Sequence, residues 1–399
     1  MKIIFALLII LLLAFSGYHM SFKRLRLPLF AREFHLTGTE FLFLGLLMGP
    51  LFLNLLDAPT LKGLRPLEVL LLGWIGLLFG FQFEFAKLRR FPLEYIVSAL
   101  LAGFIPFVVV FLGTFGSLML TGYASNIVHL IISLTLASAA ACTAPTGLAL
   151  QSPKDITGHQ ELIRLLRFIS SFDGVSALLI FGLVFIFRPV MLSDTSWFKE
   201  LLQITLISMG SSVSLLCLYQ LMLKRRYEDG ELLLVVIGMV VLSCGMASVL
   251  RFSPLLTNFV IGIGIVNTSR EKERIFHILV GIEKPVYLLL LVFLGAGWHI
   301  DSPWFVLLAG LYGLCRFSGK WLTGLLISLL HSNPRRYPPH LGLGLLGQGG
   351  LPLAILVEFE QQFPYDFAAG VICTGIVAVI YNDIVSPYFL RYLIKRESS

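Results

Sequence analysis

Charge is what this sequence has least of. Lys, Arg, Asp and Glu make up 13% of the 399 residues, against 57% for the apolar types. Soluble domains carry about 25% charged residues. Mean hydropathy is +0.88. A soluble protein with several long buried helices would need charge on their outer faces, and that charge is missing. The composition is that of an all-α polytopic membrane protein. The five cysteines (Cys142, Cys217, Cys244, Cys315 and Cys373) stand in apolar stretches at uneven spacing. That pattern excludes a disulfide framework or a paired metal site and leaves core packing. Neither a soluble domain nor a low-complexity segment is visible. No enzyme activity, cofactor or nucleic-acid partner is expected; the partner is the lipid bilayer.

What is abundant is long apolar runs. A spanning helix takes roughly 20 mostly apolar residues. Charge clusters and Gly/Pro breaks divide the chain into thirteen predicted spans, at 3–20, 37–56, 66–86, 93–121, 127–150, 162–188, 197–223, 231–249, 253–268, 275–299, 303–330, 339–361 and 366–395. Lys and Arg support that count. Clusters such as Lys23/Arg24/Arg26, Lys224/Arg225/Arg226 and Arg270/Lys272/Arg274 follow odd-numbered spans, and few basic residues follow even-numbered ones. By the positive-inside rule the N-terminus is outside and the C-terminus cytoplasmic, in the cell membrane. The opening MKIIFALLIILLLAFSGY also has the outline of a signal peptide. No small-x-small cleavage site follows it, so it is read as a retained first span.

Ionisable residues inside a span cost a few kcal/mol or more and mark functional sites. Those weighed are Asp173 in the sixth span, Glu283 and Lys284 in the tenth, Arg316 and Lys320 in the eleventh, and Asp383 in the thirteenth. At the helical rise, Asp173 lies about 9 Å along the axis from Arg167, well inside the membrane. Two spans also carry helix breakers, Cys142-Thr143-Ala144-Pro145-Thr146-Gly147 in the fifth and Gly347-Gln348-Gly349-Gly350-Leu351-Pro352 in the twelfth. Exposed backbone at membrane depth is tolerated only where it is buried in protein or lines a cavity. Interrupted helices at matching places in two halves point to a transporter's binding site. Residues 1–399 then form one transmembrane domain with inverted repeats at 1–190 and 228–399, joined by a linker helix at 197–223. Asp173 and Asp383 fall on corresponding spans. Ordinary proline kinks in packed helices are the plain alternative.

A run of segments resembles the monovalent cation:proton antiporter superfamily, in the family's order. RLRLPLFAREFHLTGTEFLFLGLLMGP (24–50) is similar to its opening turn and helix, and LLFGFQFEFAKLRR (77–90) to its third helix, with Glu84 near the usual acidic position. CTAPTGLAL (142–150) resembles its broken helix, and SFDGVSALLIF (171–181) the segment bearing its ion-binding carboxylate. FSPLLTNFVIGIGIVN (252–267) and IEKPVYLLLLVFLGAGWHID (282–301) match two further signatures. GQGGLPLAI (347–355) is similar to the Kef-type potassium efflux motif. The likeness runs from about residue 24 to SPYFLR at 386–391.

The resemblance implies exchange of Na⁺ or K⁺ for H⁺ by alternating access, with an elevator-like core moving against a dimerising scaffold in a homodimer. Burial disfavours the charged form of a carboxylate, so Asp173 is expected to hold a proton and a cation in turn. Thr143, Ser170 and carbonyls freed near Ala144 and Pro145 would complete the oxygen shell, and Gln348, Gly349 and Gly350 form the second interruption. The family pairs one basic residue of the eleventh span with a core carboxylate. Lys320 is preferred over Arg316, because lysine shifts its protonation readily on burial. Asp383 is either a partner of that basic face or a second ion ligand, with the former preferred. Two departures stand out: Phe172 precedes Asp173 where many antiporters carry Asn or Asp, and Leu351 replaces an acid of the Kef motif. They motivate a second reading, a non-transporting sensor or regulatory subunit; a third is a sodium-coupled organic-anion symporter of similar architecture, which would want Arg316 or Lys320 open to the cavity.

Overall fold

The computed structural model describes residue 8 and residues 38–122, 125–144, 160–184, 197–250, 252–299, 302–331, 337–363 and 366–397. Pro145 and all of the first predicted span except Leu8 lie outside the described residues. Among the described residues there are thirteen α-helices, one 3-10 helix and no strand. In chain order they are α1 (Thr39–Met48), α2 (Ala58–Phe81), α3 (Phe85–Leu88), α4 (Leu93–Thr121), α5 (Asn126–Ala141), α6 (Gln160–Val184), α7 (Trp197–Met222), α8 (Asp229–Val249), α9 (Pro254–Thr268), α10 (Lys272–Gly297), α11 (Pro303–Leu330), the 3-10 helix (Leu341–Leu345), α12 (Gly350–Gln362) and α13 (Asp366–Glu397). Six of them, α2, α4, α6, α8, α10 and α13, are long and apolar enough to cross a membrane. The chain is a multi-pass membrane protein with the all-helical class its sequence predicts.

The second span ends earlier than the sequence predicts, and the third begins and ends earlier. The second span ends at Met48 because Gly49-Pro50 follow, and a series of turns then brings Leu56 N back to Met48 O at 2.8 Å. The third begins at Ala58, where the Asp57 carboxylate accepts Thr60 N at 3.0 Å and a proline sits in the first turn. Proline is tolerated there because the first-turn N–H groups have no helical acceptor. Such caps recur: Ser253 opens α9 and Ser302 opens α11, each followed by proline.

The helices form two compact units. One gathers most of α1 with α2, α3 and α7–α10. In it α2 packs closely on α9, where a Cβ at Gly76 would stand 2.1 Å from Leu255 O and one at Gly262 2.6 Å from Leu77 O. Only glycine permits backbones this close. At the end of α2, Glu84 accepts from Lys272 and Lys87, both at 2.8 Å. These two ammonium groups, Lys272 first, hold its carboxyl below the usual carboxylate range. Asn267 fastens the same corner, donating to Phe83 O and accepting from Phe85 N, each at 2.8 Å.

The other unit gathers α4–α6, α11, the 3-10 helix, α12 and α13. It carries every described residue that the sequence places at the candidate site. Here α4 packs on α5, α6 and α11, while α13 packs on α11 and α12.

Candidate functional site

Two interruptions meet in this unit. After Ala141 the chain leaves the helix, with Cys142 in extended conformation, and Cys142–Ala144 run on without helical pairing. In the second, the 3-10 helix stops at Leu345 and α12 starts only at Gly350. The residues between do not follow a helix, because Gly349 takes φ 66°. That left-handed conformation is open to glycine and unfavourable for side chains with a Cβ. Pro352 does not make the break. It sits in the first turn of α12, where a missing N–H costs nothing. The two segments touch through their backbones, Ala144 N donating to Gly347 O at 2.9 Å, and a Cβ on Gly349 would stand 2.4 Å from that of Ala144.

Asp173 projects from α6 onto the first interruption. One carboxylate oxygen accepts Thr143 N at 3.2 Å, and the other lies 3.3 Å from Lys320 Nζ. Both side chains are fully buried. Lys320 Nζ also donates to Thr143 Oγ1 at 2.7 Å, Ala102 O at 2.9 Å and Ala141 O at 3.1 Å. Such a pair is tolerated because the oxygens around it satisfy the ammonium once water is gone. Ser170, one turn before Asp173, donates back to Arg167 O at 3.0 Å. Phe172 is half-buried and stacks on Phe168 at a ring separation of 5.8 Å, itself packed on Phe91 and Tyr95.

Arg316 takes a different role from Lys320. Its Nε donates to Ala140 O at 3.1 Å and its Nη2 to Cys142 O at 2.9 Å. Nη1 reaches Leu346 O, and Asn382 Oδ1 at 3.1 Å. The guanidinium thus serves the last carbonyls of α5 and those following the 3-10 helix. Both are helix C-termini with orphan acceptors and partial negative charge. A planar cation with donors in several directions suits two converging ends.

Asp383 occupies the complementary place. It is the expected acid of the thirteenth span, and it accepts hydrogen bonds from backbone. Oδ1 accepts Gln348 N at 2.7 Å and Gly349 N at 3.5 Å, at the N-terminus of α12. Gln348 donates to Ala139 O at 3.2 Å and Tyr312 OH at 2.7 Å, and accepts from Asn382 Nδ2 at 3.1 Å. With all four groups ionised, Asp173, Asp383, Lys320 and Arg316 sum to zero charge. That balance is what a membrane interior demands.

Geometry therefore brings together Asp173, Thr143, Lys320, Arg316, Ala144, Gln348, Gly349 and Asp383. Sequence reasoning passed over Asn382 and Tyr312, which tie the second interruption to α11. The signals were the Asn-Asp step at 382–383 and the four-residue spacing of Tyr312 from Arg316. It also passed over Glu358, an acid inside the twelfth span that is fully buried on α12.

The architecture is shared with solved structures. The sodium proton antiporter MjNhaP1 from Methanocaldococcus jannaschii, in its structure at pH 8, superposes with a TM-score of 0.66 at 17% identity over 100% of this chain and 99% of that one. An electron-microscopy structure of the same antiporter gives 0.64 at 14% identity over 99% and 96%. This likeness is one of fold. No protein-family profile and no curated protein sequence matches the chain.

Proposed function

We propose that this protein exchanges a monovalent cation, Na⁺ or K⁺, for H⁺ across the cell membrane, with Asp173 as the shared site. The reading rests on one observation: a fully buried Asp173–Lys320 pair at the meeting of two interrupted helices. In a fold shared with a sodium proton antiporter, such a carboxylate is the natural cation ligand. Thr143 Oγ1 and the loosened carbonyls beside it are oxygens of the kind a desolvated cation needs.

Electrostatics gives the exchange step. Lys320 Nζ occupies the side of Asp173 that a cation would take. A cation arriving there adds one positive charge to a neutral buried site, so the site regains neutrality when one proton leaves the Asp173–Lys320 pair. Departure of the cation reverses this. Arg316 and Asp383 hold the helix ends. The equivalent bonds from Thr143 N to Asp173 and from Gln348 N to Asp383 support inverted repeats, and alternating access follows with the unit bearing Asp173 as the moving body. Arginine and lysine placement supports an external N-terminus and a cytoplasmic C-terminus; the antiporter resemblance adds a homodimer. An organic-anion symporter would need an open cation, whereas Arg316 and Lys320 are fully buried and committed to oxygen acceptors.

The test is reconstitution in liposomes with an internal pH dye, followed by Na⁺, K⁺ or Li⁺ in turn. A cation-driven pH change that Asp173→Asn removes is the expected result. Silence toward all three cations would sink the proposal.

A further inference from the structure

Outside the Asp173 site, the same unit holds a second buried polar group. α5 runs toward the interruptions and α12 runs away from them, and the two helices pack on one another. Their junction with the interruptions is fixed by Gln348 Nε2 on Ala139 O and by Ala144 N on Gly347 O. They are therefore antiparallel neighbours on one side of the crossing. Counting the helical rise from Ala141 and from Gly350, Ser133 and Glu358 both lie about 12 Å from it. His129 is one turn beyond Ser133 on the same face of α5. Glu358 and Ser133 are fully buried, and His129 is 2% exposed.

The hydroxyl of Ser133 sets this group apart from ordinary helix packing. Thr135 and Ser138 on the same helix donate to their own backbone at 2.9 and 2.8 Å. Ser133 Oγ makes no hydrogen bond among the described residues. A buried hydroxyl left open in this way is costly unless something polar comes to it. A carboxylate held at membrane depth is costly in the same sense. Among the described residues, the other helices on α12 supply one ionisable group at this level, the Cys373 thiol. Leu356 lies against Gly375, so α13 presents residues 372–375 there, and Cys373 is the only ionisable group among them. On α6, Asp173 is the only ionisable residue between Arg167 and Val184.

We propose that Glu358, with His129 and Ser133, forms a second proton-binding site between the Asp173 pair and the membrane face toward which α12 runs. Basic-residue placement assigns that face to the outside. The site receives a proton leaving the Asp173–Lys320 pair and passes it outward, in the reverse order when the cycle runs backward. This relay rests on the exchange reading; proton binding at Glu358 does not.

Two measurements separate them. Infrared difference spectra on a pH jump, taken on purified Asp173→Asn protein, should retain a protonated-carboxyl stretch that Glu358→Gln removes. If the stretch survives that second substitution, or never appears, there is no proton site at Glu358. In liposomes, Glu358→Gln alone should slow cation-driven proton movement at least tenfold with the half-saturating cation concentration unchanged. Glu358→Asp should restore part of the rate, which a purely structural role would not do. A wild-type rate in Glu358→Gln overturns the relay. Failure of the parent protein to exchange at all overturns the exchange reading and the relay with it, and leaves the infrared result to decide the site.

Discussion

Lys320 Nζ lies 3.3 Å from Asp173 Oδ2, with neither side chain exposed. Among the described residues the ammonium is the carboxylate's only cationic partner within bonding distance; Arg316, one turn earlier on α11, spends its donors on carbonyls and on Asn382. One helix face thus carries two cations with separate duties. One pairs with the buried carboxylate, and the other closes helix ends.

Removing one member of the Asp173–Lys320 pair should be worse than removing both. Lys320→Met leaves a buried carboxylate uncompensated, which costs about 3–5 kcal/mol in comparable settings. The double variant Asp173→Asn, Lys320→Met removes both charges and should regain most of that loss while remaining inactive in exchange. Thermal unfolding in detergent reads the comparison. Equal destabilisation in the single and double variants would mean that the two groups are not coupled.

Arg316→Lys keeps the charge and should still fail. A lysine has one nitrogen, which cannot reach Ala140 O and Cys142 O while also serving Leu346 O and Asn382. Hydrogen bonds to a charged donor contribute about 1.5–3 kcal/mol each, so a stability loss of roughly 2 kcal/mol or more is expected. Retention of wild-type melting behaviour would argue that the carbonyls do not need the guanidinium.

Gly349→Ala tests the backbone contact between interruptions. The substitution meets both an unfavourable φ of 66° and a contact of 2.4 Å with the Ala144 methyl. Gly281→Ala in α10 is the control, since a Cβ there meets open space and alanine favours a helix by about 1 kcal/mol. Gly349→Ala should lose folded yield or exchange activity, and Gly281→Ala should keep both.

Much of this arrangement was legible from residue types and their order. Asp173 and Lys320 are too costly inside apolar spans to be incidental, and Gly349 can only be read as a break. Other parts depended on information that a linear pattern does not hold. The Asp383 carboxylate also accepts Gln348 N at the start of α12, a bond to an emerging helix N-terminus that residue type alone does not reveal. Pro352 reads as a breaker in sequence yet sits harmlessly in a first turn, since the preceding glycines had already ended the helix. Glu358 was in plain view within the twelfth span; its importance lies in burial, which hydropathy averages conceal.

Glu84 gives the pH dependence of the other unit. Its carboxyl is held below the ordinary range by Lys272 and Lys87. A folded-state value below the unfolded one means stability that is fully present above the unfolded value and is lost as pH falls through the folded one. Melting temperature should therefore be insensitive to this group near neutrality and should fall under acid conditions. Glu84→Gln should melt lower than the parent at pH 7, with the difference closing as pH is taken below the usual carboxylate range. A constant difference at every pH would show that the ion pairs are not its cause.

In the proposed exchange, the charges at the site set the stoichiometry. Phe172 stacks on Phe168 and offers no second carboxylate beside Asp173, so one arriving cation can displace one proton before the buried site departs from neutrality. Exchange should be electroneutral. In liposomes clamped at different membrane potentials with valinomycin and K⁺, Na⁺-driven proton movement should keep the same rate and the same equilibrium pH gradient. If two protons moved per cation, an inside-negative potential would shift that equilibrium gradient, and a lone Asp173–Lys320 pair would not account for it. Phe172→Asp sharpens the contrast. A second buried acid adds a group that must be neutralised, and dependence on potential should appear in this variant alone.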